Sequence, residues 1–130
     1  MKQMTGNIDG SIRRINSLDT LYSLQTSFQK NISQNEVLPQ DNLQGFQYHI
    51  TAMIEELGEL LQADKRWKTH RNVKFDNDEK LTEYADVFIT ALNIAIHSGF
   101  TSDEVFDAVL QKICENNRRL ESNAGNSGRN

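Results

Sequence analysis

The chain has 130 residues, of which 37% are hydrophobic and 25% charged, and its formal net charge is −4. That length supports one globular domain with a real core and is too short for two ordinary ones, while the acidic balance argues against a general nucleic-acid binder. No stretch approaches the roughly 20 apolar residues that span a bilayer, the start MKQMTGNIDG lacks the apolar core of a signal peptide, and the one cysteine, Cys114, cannot close an internal disulfide. A soluble, cytoplasmic protein without nucleic-acid or membrane partners is expected.

Residues 1–16 contain Gly and Asn without a sustained apolar period, and a mobile segment is expected there. Leu18, Leu21, Leu24, Phe28 and Ile32 then recur at spacings of three and four, which predicts a helix from Ser17 to about Ser33. Pro39, the single proline, falls in a polar connection. A second helix is predicted after Asp41 or Asn42, on the stripe Leu43, Phe46, Ile50, Met53, Ile54, Leu57, Leu60 and Leu61, fading around Lys65 to Lys68. A charged loop follows, and Asp76 with Glu79 has the form of a capping box that opens a third helix from about Asn77 to His97. Gly99 supplies a stop, and Thr101 with Glu104 repeats the capping-box spacing before a fourth helix to about Leu120. No segment alternates with period two. The expectation is an all-α, four-helix-bundle-like domain over 17–121, with a small, polar, disordered tail at 122–130 and Cys114 as a buried filler.

Two acidic pairs stand out: Glu56-x-x-Glu59 in the second helix and Glu83-x-x-Asp86 in the third. Spacing i, i+3 turns both carboxylates of a pair to the same side of its helix. On the third helix Glu83, Asp86, Thr90, Asn93 and His97 share one polar stripe, and nearly everything else is apolar, so that helix should be largely buried with its stripe lining a cleft or the one open side. A stripe that merely faces solvent is the plainer alternative. Two packed helices would gather four carboxylates, and like charges about 4 Å apart repel by roughly 4 kcal/mol at an effective dielectric near 20. Such a cluster calls for protons or a cation. No Glu or Asp is followed three residues later by His, which removes the Glu-x-x-His ligation of di-iron bundles. Oxygen-only ligands favour Mg²⁺, with Mn²⁺ as the other choice.

At these residues the sequence resembles the MazG-like all-α nucleoside triphosphate pyrophosphohydrolases, whose relatives include the all-α dUTPases. The resemblance rests on Glu55-Glu56-x-x-Glu59, an interval spanning 60–82, Glu83-x-x-Asp86, and Lys112-x-x-x-Asn116-x-x-Arg119 in the fourth helix, and it covers about residues 18–121. It implies an Mg²⁺-dependent enzyme that cleaves a nucleoside triphosphate between its α and β phosphates, releasing a monophosphate and pyrophosphate. It also implies that Glu56, Glu59, Glu83 and Asp86 hold the metal. Glu55, beside them but turned outward, is the candidate to orient or deprotonate the attacking water.

Lys112, Asn116 and Arg119 fall on one side of the fourth helix and are candidates for phosphate oxygens, although basic residues near a helix C-terminus also answer the helix dipole. Asn93 is a candidate for a sugar hydroxyl or a base. Gln25 and Gln29 resemble positions where the family reads the base, and Trp67, among Lys65, Arg66, Lys68 and Arg71, is a candidate to stack on it. His49 is expected to pack beside the second helix and His70 to lie on the loop surface. The alternative to an enzyme is a non-catalytic helical module that binds metal or nucleotide. Either way, three partner helices cannot cover the apolar surface of the third, so a homodimer or homotetramer is expected.

Overall fold

The computed structural model describes residues 17–33, 42–68 and 74–127. Among them are four helices and no strand: α1 Ser17–Ser33, α2 Leu43–Asp64, α3 Asn77–His97 and α4 Ser102–Ser127. The fold is all-α, as expected. Residues 1–16, Pro39, His70, Arg71 and 128–130 lie outside the described residues. The chain divides between Phe100 and Thr101 into two units, α1 to α3 forming the first and α4 the second.

The helix ends show why the elements stop where they do. Asn42 is extended and its side-chain oxygen accepts the Gly45 N–H at 2.7 Å, filling one of the donors that a helix start leaves unpaired. At the other end of α2, Lys65 takes the left-handed conformation (φ 67°) and donates its N–H to the Leu61 carbonyl at 3.2 Å. The Trp67 indole N–H donates to the same carbonyl at 3.1 Å. Asp76 caps α3 by accepting the Asp78 N–H at 2.8 Å. After α3, Gly99 sits at φ 84°, donating to Ile96, and Phe100 donates to Ala95, the Schellman arrangement that ends a helix on a left-handed glycine.

Within the first unit α2 and α3 form an antiparallel hairpin. Residues that meet across it run in opposite orders: Asp64 with Lys80 near the connection, Glu56 with Glu83 and Asp86 further along, His49 with His97 at the far end. α1 lies against α3 through side-chain hydrogen bonds rather than an apolar seam. Gln25 Nε2 donates to Asn93 Oδ1 at 2.8 Å, His97 Nε2 meets Gln29 Oε1 at 2.9 Å, and the Tyr22 hydroxyl donates to the Phe100 carbonyl.

Buried apolar residues are Ala63, Leu92 and Ile96, accompanied by buried Gln29, Thr90 and His97. This corrects the expected burial of α3. Its polar stripe faces inward, because Asn93 and His97 are taken up by α1 and Asp86 faces α2, while Leu81, Tyr84 and Phe88 are exposed in the single chain. Thr90 and His97, both buried, also rule out a stripe that merely faces solvent.

In the second unit the predicted capping box is complete: Thr101 Oγ1 accepts the Glu104 N–H at 3.1 Å and Glu104 Oε1 accepts the Thr101 N–H at 2.9 Å. α4 runs to Ser127, past the end expected near Leu120. The extension contains no proline, and its glycine, Gly125, weakens a helix by only about 1 kcal/mol. Cys114 is exposed rather than a buried filler. The apolar residues near it on α4, Val109, Leu110 and Ile113, are exposed as well, so that helix offers no enclosed position for a small side chain.

Candidate metal centre

The middle of the α2–α3 hairpin brings three carboxylates together. One oxygen each from Glu56, Glu83 and Asp86 lies within 4.8 Å of the other two, and all three residues are half-buried. Glu56 comes from the turn of α2 that follows the apolar positions Met53 and Ala52, which are also half-buried, and Glu83 and Asp86 from the same face of α3. Partial burial holds Glu56 above the usual carboxylate range, with the charges of Asp86, Glu83, Glu55 and Glu59 adding to it. Glu83 is raised for the same reasons, burial first and then Asp86, Glu59 and Glu79. The cluster therefore stores repulsion that a hard cation would relieve, and its all-oxygen donor set fits Mg²⁺ or Mn²⁺.

Glu59 and Glu55 are exposed and stand outside that close trio, although both act on Glu56 through their charge. The two predicted substrate contacts Gln25 and Asn93 meet directly. In that pair the Asn93 amide nitrogen and the Gln25 amide oxygen are not used by the bond between them, leaving a donor group and an acceptor on the pair.

Trp67 caps α2 through its N–H, and its ring, half exposed, carries Lys68 Nζ at 5.4 Å from the centroid. Lys112 and Arg119 both reach Glu115 within α4, Lys112 at 3.8 Å and Arg119 by a charge-assisted hydrogen bond at 2.5 Å, and Asn116 is exposed beside them. These three belong to the second unit, where the two cations share Glu115 between them.

Two features escape the sequence. His49 stacks on His97, ring centroids 4.2 Å apart and planes 26° apart, with Tyr48 edge-on to His49 at 5.1 Å. Burial and the neighbouring His97 push His49 below the ordinary histidine value. The register that pairs residues 48 apart in sequence is set by the length of the connection, which no local pattern reports. The second feature is a polar clasp at the connection itself. Asp64 Oδ1 accepts Arg66 Nε at 2.6 Å and Oδ2 accepts Arg66 Nη2 at 2.7 Å, and Lys80 Nζ lies 2.6 Å from that same Oδ2. Both cations also flank the Phe75 ring, at 5.1 and 5.2 Å from its centroid. Asp64 and Lys80 being opposite charges at the two ends of one loop was the available signal.

No helix among the described residues is long and apolar enough to cross a membrane. Searches of curated proteins and of solved structures returned no match. A family model described as dUTPase matches residues 17–123, which takes in all of α1 to α3 and most of α4. The chain thus belongs to this dUTPase family, of the nucleotide pyrophosphohydrolase type.

Proposed function

We propose that the protein is a Mg²⁺-dependent nucleoside triphosphate pyrophosphohydrolase that converts a deoxynucleoside or ribonucleoside triphosphate, dUTP among them, to the monophosphate and pyrophosphate, serving nucleotide-pool housekeeping. The observation that carries this reading is the convergence of Glu56, Glu83 and Asp86 at the centre of a family-matched hairpin. Those three, with Glu59 one turn from Glu56, are the residues that would hold the metal, and Mn²⁺ would serve in its place. When bound, the cation neutralises phosphate charge and makes water a better nucleophile near neutral pH.

The chain's own residues supply the rest. Glu55 would orient or deprotonate the attacking water from the outer side of α2. The free donor and acceptor of the Gln25–Asn93 pair suit the edge of a base or a sugar hydroxyl, and Trp67 offers an exposed ring face for stacking. Lys112, Asn116 and Arg119 would bind phosphate oxygens, Lys112 and Arg119 at the expense of their contacts with Glu115. A homodimer or homotetramer completes the proposal: Phe28 is 54% exposed, Leu81 66% and Leu120 69%, apolar surface that a second copy would cover.

Pyrophosphate release with Mg²⁺ tests this reading when Glu56→Gln and Asp86→Asn are compared with Glu79→Gln, an exposed residue on the helix that carries Asp86. The two cluster variants should lose activity by about a hundredfold or more, since even outer partners of metal ligands cost about 10- to 100-fold. Glu79→Gln should stay within about twofold of wild type. Equal activity in all three would remove the carboxylates from the chemistry.

A further inference from the structure

The clasp at the hairpin connection carries an inference that rests on the metal reading above. Three carboxylates facing one another across α2 and α3 push those helices apart, and nothing within the cluster opposes the push. Close by along the hairpin, the opposite arrangement occurs: one carboxylate, Asp64 at the end of α2, between two cations, one of which is on α3. Lys80 lies three residues before Glu83, about 4.5 Å along the helix, and Asp64 eight residues after Glu56, about 12 Å. The Asp64 side chain is only 16% exposed, and its two oxygens are shared between Arg66 and Lys80 rather than left to water. The Phe75 ring, flanked by both cations, keeps them on that carboxylate.

We propose that Asp64, acting through Lys80, is a positioning residue of the metal centre: it holds α2 against α3 at the spacing at which Glu56 meets Glu83 and Asp86. Without the clasp the hairpin spends part of its time splayed, and a divalent cation binds only the closed fraction.

Binding of Mn²⁺ alone to the full chain, read from the free-ion electron paramagnetic resonance signal, tests this at a temperature where each variant keeps the wild-type far-ultraviolet circular dichroism. If loss of the clasp lowers the closed fraction to about one fifth, Asp64→Asn and Lys80→Met should each weaken Mn²⁺ about fivefold. The double variant should be no weaker than the singles, because one interaction is removed in all three. Lys80→Met is the decisive case. Simple charge accounting predicts that removing a cation beside an acidic cluster tightens Mn²⁺, whereas the clasp predicts weaker binding. A folded Lys80→Met protein that binds Mn²⁺ as tightly as wild type, or more tightly, overturns the proposal, and Lys80→Met remains readable even where Asp64→Asn fails to fold. Absence of Mn²⁺ binding in the wild type would instead overturn the metal reading itself, and the clasp with it.

Discussion

Replacing Gln29 by Leu isolates one of the side-chain hydrogen bonds that fasten α1 to the rest of the first unit. Gln29 and His97 are 5% and 6% exposed, and His97 Nε2 lies 2.9 Å from Gln29 Oε1, an oxygen that can only accept, so that nitrogen carries the proton. Leucine keeps a buried side chain of similar size and removes the acceptor. The loss then comprises the hydrogen bond and the desolvation of a buried donor, about 1–3 kcal/mol, with a small return from the added apolar surface. In a chain of this length each kcal/mol moves the thermal midpoint by roughly 3–5 °C, so a fall of about 3–15 °C is expected. Urea unfolding at fixed protein concentration measures it, and amide exchange localises it: α1 should lose protection first, since Gln25–Asn93 is its other side-chain amide bond to α3. A change below about 0.5 kcal/mol, with α1 exchange unaltered, would show that this contact does not hold α1 in place.

Further outcomes follow from the same structure. Lys65 holds a left-handed φ of 67° at the end of α2, so Lys65→Gly should raise stability by about 0.5–1 kcal/mol in urea unfolding; destabilisation would mean that its side chain makes a contact worth more than the strain. His49 is held below its ordinary value of 6.5, so the folded chain refuses a proton that the unfolded chain accepts. Its contribution is present above that value and is lost as pH falls through the folded one, and His49→Phe should flatten the decline in melting temperature between about pH 7.5 and 5.5. An unchanged slope would assign the decline to other groups. Leu81→Asp places a charge on exposed apolar surface of α3, and sedimentation should show the wild type as a dimer or tetramer and the variant shifted toward monomer; a wild-type monomer would leave that surface unexplained.

Local signals marked the elements well because they are carried by neighbouring residues. The apolar periods of α1 and α2, the Asp76 cap, the Gly99 stop and the Thr101–Glu104 box all appear where the sequence places them, and of the two starts open for α2, Asp41 or Asn42, the cap is Asn42. Glu56, Glu83 and Asp86 were legible for the same reason: each pair is spaced on its own helix, and antiparallel packing does the rest. Orientation was harder. The hydrophobic face of α3 implied burial, but in the single chain α1 takes the polar stripe through amide and imidazole groups, and pairing of that kind leaves no period to read. The His49–His97 stack and the Asp64–Lys80 clasp depend on register across a loop, and that register emerges only once α2 and α3 are side by side.

The proposed activity is metal-dependent cleavage between the α and β phosphates of a nucleoside triphosphate. Phosphorus NMR of the products, with Mg²⁺ and a panel of ribo- and deoxyribonucleoside triphosphates including dUTP, measures that directly. The proposed activity requires pyrophosphate and the nucleoside monophosphate from at least one substrate, and no products without a divalent cation. Orthophosphate with a nucleoside diphosphate, or no turnover of any triphosphate by folded protein with Mg²⁺ or Mn²⁺, would contradict it, and the second result would leave a helical binding module on the same fold.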